Sequence, residues 1–134
     1  MFIDQVSVFL ENKPGQLASV IRLFADNKIN LEAMCLSETD SYGILHAIVG
    51  RPDLALSLLK ENGFTCKKTT VLTVSVSDEP GALTNILSIL AAEDVNIAYT
   101  YAFLSREQGR ARIVLRVKDN ETVAALLAKN GVAD

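Results

Sequence analysis

The residues Val6-Ser7-Val8-Phe9-Leu10-Glu11-Asn12-Lys13-Pro14-Gly15-Gln16-Leu17 decide the fold, because the chain carries the same pattern twice. At Leu72-Thr73-Val74-Ser75-Val76-Ser77-Asp78-Glu79-Pro80-Gly81-Ala82-Leu83 the order returns with an offset of 66 residues. The match extends outward: Ala25 falls on Ala91, Ile29 on Val95 and Asn30 on Asn96. Further along the offset becomes 68, where Leu58-Leu59 meets Leu126-Leu127 and Asn62-Gly63 meets Asn130-Gly131. The two extra residues sit near Gln108-Gly109, in a loop, where insertions cost little. A repeat of this kind sets the architecture before any local reading.

Each copy reads the same way. Val6, Val8 and Leu10 alternate with more polar neighbours, the period of a strand. Pro14 suits the first turn of a helix. Leu17, Val20, Ile21 and Phe24 then recur at helical spacing, as do Leu83, Ile86, Leu87 and Leu90. Strands are predicted near Asn30 to Ser37 and Ile44 to Val49, with a turn at residues 38 to 41 between them. Pro52-Asp53 opens a second helix, and Asn62-Gly63 stops it in left-handed geometry. A strand follows from Phe64. The order β-α-β-β-α-β is the split βαβ, or ferredoxin-like, arrangement. With right-handed crossovers, both helices cover one face of an antiparallel sheet.

Two departures from a plain tandem are expected. Nothing between Phe64 and Ser77 signals a turn, so the last strand of the first copy runs into the first strand of the second. The second copy lacks its fourth strand, which leaves Val71 to Ser77 as an edge for another unit or another chain to complete. The domains are therefore expected at residues 1–69 and 70–134.

Composition narrows the function. The 134 residues are 49% hydrophobic and 22% charged with a net charge of −3, a globular balance. Mild acidity argues against sequence-independent nucleic-acid binding. The third strands, Ile44 to Ile48 and Arg112 to Arg116, lack the aromatic platform of an RNA-binding sheet. No apolar run approaches the roughly 18 residues that span a bilayer, and no secretory signal is visible at Met1 to Gln5. A cytoplasmic protein is expected. Catalysis has little to work with. His46 stands opposite Val114 and so recurs in no duplicated site. Cys35 and Cys66 form no CxxC pair and are expected as buried, reduced thiols. No metal site and no cofactor are expected.

The informative feature is the turn from first strand to first helix. Asn12 and Asp78 precede the prolines by two residues, where a short polar side chain folds over backbone N–H groups. Gly15 and Gly81 leave the helix start open to close approach. Free N–H groups and the positive end of the helix dipole favour a carboxylate there. Asn30 and Asn96 open the next strands with a side-chain amide that pairs with either end of a zwitterion.

In this topology the run from Asn12 through Leu31, repeated from Asp78 through Ile97, resembles the ACT domain, a regulatory amino-acid-binding module. The chain is similar to a stand-alone tandem ACT protein such as the regulatory subunits of acetolactate synthase. The resemblance implies two ferredoxin-like α+β units in tandem, with helices on one face of each antiparallel sheet. It implies a ligand, usually an amino acid, held between the Pro-Gly turn of one unit and strand residues of a neighbour. Carried over by position, the ligand residues are Asn12, Lys13, Gly15, Gln16 and Leu17 with Asn30 and Leu31, and Asp78, Glu79, Gly81, Ala82 and Leu83 with Asn96 and Ile97. Lys13 suits a carboxylate whereas Asp78-Glu79 repels one, so the first turn is expected to take the carboxylate role. The resemblance implies a non-catalytic regulator, a homodimer, coupled to its own assembly or to an amino-acid biosynthetic enzyme. A ligand-free dimerisation or docking module is the alternative.

Overall fold

The computed structural model describes residues 1–39, 41–105 and 107–134. Ten elements follow one another: β1 (Phe2–Glu11), α1 (Gln16–Asp26), β2 (Leu31–Glu38), β3 (Tyr42–Val49), α2 (Pro52–Glu61), β4 (Thr65–Ser77), α3 (Ala82–Ala92), β5 (Ile97–Ala102), β6 (Arg110–Val117) and α4 (Asn120–Lys129). Two compact units result, Asp4–Thr70 and Val71–Asp134, the latter also holding Met1–Ile3. Within the turn read at residues 38 to 41, Asp40 lies outside the described residues.

In the amino-terminal unit the strand order is β2-β3-β1-β4. β3 runs antiparallel to both its neighbours, with Val6 opposite Ala47 and Leu36 opposite Leu45. Alternation along β1 sends Val6, Val8 and Leu10 into a core with Leu45, Ala47 and Val49 of β3. Helices α1 and α2 close that core with Val20, Phe24, Ala55 and Leu59, all at most 1% exposed. Burying the Val20, Phe24 and Leu59 side chains stabilises by about 1.5–3 kcal/mol each. Asn62 ends α2, and Gly63 follows at φ +83°, the left-handed position expected from the sequence.

The carboxy-terminal unit repeats the plan. β4 pairs with β6 and β6 with β5, all antiparallel. Leu72, Val74, Val76, Leu115 and Val117 face Ile86, Leu90, Val123 and Leu127 of α3 and α4. Leu87, read as part of the apolar stripe, is 37% exposed and stands apart from this core.

β4 is one unbroken strand, as the absence of turn residues predicted. The unit has no fourth strand of its own, yet the edge at Val71–Ser77 is not bare. Thr73 N–H donates to the Met1 carbonyl at 2.7 Å and Ser75 N–H to the Ala133 carbonyl at 2.9 Å. Residues of the same chain cover the edge, where another unit or chain was expected. No described helix is long and apolar enough to cross a membrane.

Candidate functional site

Pro14 does not enter α1. The helix begins at Gln16, and Gly15 is its N-cap at φ +89° and ψ −9°. That backbone region is open to glycine and costly for residues with a Cβ. A Cβ built on Gly15 would meet nothing within 4 Å, so the dihedral, not crowding, requires glycine. Asn12 does not fold over the helix start as expected. Its side-chain amide donates instead to Glu38 Oε1 at 2.9 Å, and no side chain caps α1. The first-turn N–H groups, which carry the positive end of the helix dipole, therefore have no side-chain acceptor.

These residues border a cavity of about 160 Å³. Asn12, Lys13, Gly15, Gln16 and Leu17 line it from the turn, and Leu36, Ser37, Glu38 and Gly43 line it from β2 and β3. Lys13 Nζ lies 3.0 Å from Glu11 Oε2, with both side chains more than half exposed. An exposed pair of this kind is worth at most about 1 kcal/mol, so an incoming carboxylate competes with it easily. The rim thus combines one ammonium, two carboxylates and a set of uncapped amides.

Asn30 and Leu31 are not in this cavity. Leu31 begins β2 and Asn30 precedes it, whereas Leu36 to Glu38 end the strand, a separation of roughly 23 Å at about 3.3 Å per residue. The Asn30 carbonyl accepts from Gly50 N–H at 2.9 Å at the far end of the sheet. The physical reason is the crossover: α1 returns the chain, so β2 starts at the end opposite the turn. Leu36, Ser37, Glu38 and Gly43 line the cavity although the sequence reading did not name them. The βαβ path held the signal, since β1 and β2 both run antiparallel to β3 and finish at the same end of the sheet, on either side of the start of β3.

The second turn has the same backbone and different surroundings. Gly81 caps α3 at φ +87° and ψ −8°, again with no side-chain cap. Here, however, Ala82 N–H donates to the Glu79 carbonyl at 3.2 Å and Thr84 N–H to Gly81 at 3.1 Å. No such bonds from Gln16 and Ala18 occur among the described residues. Asp78 N–H donates to the Gly109 carbonyl at 2.8 Å, which ties the turn to the start of β6. Ala82 borders a separate hollow with Asn85 and Arg110, and the Arg110 guanidinium is held by Ser75 Oγ at 2.8 Å. Leu83 is half-buried and Asp78 and Glu79 are exposed. Ile97 begins β5, with Asn96 just before it, at the opposite end of that unit, as Leu31 and Asn30 are placed in theirs.

Elsewhere, Ser7 Oγ approaches His46 Nδ1 to 2.9 Å and Gln5 Nε2 lies 3.2 Å from the same nitrogen. Ser7 is only 2% exposed and His46 is half-buried. Both cysteines are unpaired and half-buried, more open than expected, and burial pushes the Cys66 thiol up. Among the described residues, no group of three or more His, Cys, Asp or Glu is placed to hold a metal ion.

The family model that matches is the ACT domain pair, over residues 1–132. No curated protein matches. Among solved structures, the protein BT0572 from Bacteroides thetaiotaomicron is similar at 38% identity and a TM-score of 0.91, covering 99% of this chain and 91% of that one. The ligand-free regulatory subunit of aspartate kinase from Thermus thermophilus shares the fold at 16% identity and a TM-score of 0.64, covering 94% and 90% of the two chains. Taken with a βαβ unit that occurs twice around a Pro-Gly turn, the match over nearly the whole length shows that the chain belongs to the ACT domain pair family.

Proposed function

We propose that the chain is a non-catalytic, cytoplasmic regulatory protein that binds a free amino acid at the Asn12–Leu17 turn and passes that binding on through its assembly or a partner enzyme. One observation carries this reading: neither helix start has a side-chain cap, but in the second Ala82 and Thr84 N–H are taken by backbone carbonyls, whereas among the described residues Gln16 and Ala18 N–H have no such acceptor and stand beside a lysine and a cavity. The ligand carboxylate takes the amides of Gln16 and Leu17 and the ammonium of Lys13, and the ligand ammonium takes Glu38. Leu10, Leu17 and Leu36 line the space left for a side chain. At about 160 Å³ that space is about half the smallest of ordinary small-molecule sites, roughly 300–1,000 Å³. It suits a compact aliphatic amino acid whose remaining wall comes from a second copy of the chain.

β2 is the edge strand of its unit, and its Leu36 is 46% exposed. A second copy's β2 added antiparallel runs the opposite way, so that its Asn30 and Leu31 fall beside Leu36 to Glu38. A homodimer built so reunites residues that lie far apart within one unit. Regulation then requires that the amino acid favour this assembly over its alternative.

Thermal denaturation against the twenty amino acids, followed by sedimentation with and without the best of them, tests the proposal. Ligand at 100 times Kd adds about 2.7 kcal/mol, an easily measured rise in Tm, and shifts the chain toward dimer. A dimer that ignores all twenty favours the ligand-free docking module instead.

A further inference from the structure

The two units treat one backbone corner in opposite ways. In the amino-terminal unit α1 ends at Asn27, with φ −102° and ψ 12°, and Lys28 follows at φ +55°. The guanidinium of Arg51, the residue just before α2, donates to the carbonyls of Asn27 at 2.7 Å and Lys28 at 3.0 Å. In the carboxy-terminal unit α3 ends at Glu93, with φ −107° and ψ 19°, and Asp94 follows at φ +54°. The closing bonds agree as well: Lys28 reaches Ala25 and Ile29 reaches Phe24, while Asp94 reaches Ala91 and Val95 reaches Leu90. The carbonyls of Glu93 and Asp94 are therefore presented as those of Asn27 and Lys28 are.

What approaches them differs. The residue just before α4, in the place of Arg51, is Asp119. Where one unit has Lys28 and Arg51, the other has Asp94 and Asp119, a reversal of charge at both positions. Both carboxylates line an open cavity of about 480 Å³, three times the volume of the one at the first turn. Val95, Val117 and Val123 give it an apolar wall, and two cations also border it, Lys118 and Arg116, whose guanidinium donates to the Val117 carbonyl at 2.8 Å. That volume and lining are those of an ordinary small-molecule site. Asp119 accepts from Thr122 N–H at 3.1 Å and from Thr122 Oγ1 at 2.7 Å. These bonds hold its carboxyl below the usual range, and a carboxylate has lone pairs left for another donor.

We infer that this cavity binds a small molecule bearing a guanidinium or primary ammonium group, whose cation takes the place that Arg51 fills in the other unit. A guanidinium fork spans two adjacent carbonyls and a carboxylate, as Arg51 spans Asn27 and Lys28. Lys118 on the same lining pairs with a carboxylate at the ligand's other end, so an amino acid with a cationic side chain is the class that fits. This site shares no residue with the Asn12–Leu17 cavity.

Calorimetric and amide-NMR titrations of the full chain with L-arginine and with agmatine test the inference. Amide shifts are expected at Asp94 to Asn96 and Asp119 to Thr122, with L-arginine binding more tightly because agmatine lacks the carboxylate. Asp94→Asn is expected to weaken binding about tenfold or more, the scale of a lost charged hydrogen bond. Asp119→Arg supplies its own guanidinium and is expected to abolish binding. Asp94 caps no helix, so its variant keeps the test valid if Asp119→Arg folds poorly. Silence at those amides with both probes, or unchanged affinity in Asp94→Asn, overturns the inference. Shifts confined to Lys13 to Ala18 overturn it too while leaving the first-turn proposal standing.

Discussion

Gly15→Ala and Gly81→Ala form a matched pair that separates folding from binding. Both glycines sit at nearly the same left-handed dihedrals, φ +89° and +87°. A Cβ at either would meet nothing within 4 Å, so neither substitution clashes. The cost is backbone strain alone, roughly 1–2 kcal/mol at each site. Thermal denaturation should therefore show two similar losses, each on the order of 4–16 °C in Tm for units of this size. Binding should differ. Alanine at 15 pushes the first turn away from the geometry that aims the Gln16 and Leu17 amides, so affinity for the amino acid falls. Alanine at 81 acts on a turn whose amides are already partly taken by Glu79 and Gly81, and affinity stays. Gly15→Asn should recover part of the stability, since asparagine tolerates this region. Equal loss of binding in the two alanine variants, measured by calorimetry, would refute the asymmetry on which the functional reading rests.

Other consequences can be measured on the same protein. Lys13→Ala should weaken amino-acid binding with little change in stability, because its pair with Glu11 is solvent-exposed; Asp78→Ala should leave binding intact. Gly43→Val should block the cavity at modest cost in stability: a Cβ there meets Leu36 Cδ1 and the Ser37 carbonyl at 3.4 Å, so the neighbours need give little. Phe24→Ala should cost about 3–5 kcal/mol in denaturant unfolding, since Phe24 is 1% exposed at the centre of its unit. Asp119 titrates lower in the folded chain than unfolded, so its contribution is full above about pH 4 and is lost as pH falls through the folded value. The gap in urea midpoint between the native chain and Asp119→Ala should therefore close on acidification.

Much of the fold was legible in the sequence because the repeat fixed it twice over. Apolar alternation in Val6 to Leu10 and in Leu72 to Val76 marked both first strands and the buried face of each. The stop at Asn62-Gly63 and the unbroken run into Ser77 were equally readable. Leu87 was misread because helical spacing shows which residues share a stripe but not how wide the covering layer is. Cover for the open edge of β4 came from Met1, a residue distant in sequence, and no local pattern reports such a pairing. The cavity beside the first turn is bordered by the residues read there, Asn12 to Leu17, and also by Leu36 to Glu38, which motif matching did not point to because only the direction of the crossover shows that the far end of β2 meets the turn. The left-handed residues Lys28 and Asp94 also escaped the sequence reading, since neither is a glycine.

The most direct test is an amide-NMR spectrum of the full chain, recorded with and without a mixture of the twenty amino acids. The account predicts that the Gln16, Leu17 and Ala18 signals move while those of Ala82, Leu83 and Thr84 hold still. Stationary signals at Gln16 to Ala18, or equal movement at both helix starts, would contradict it.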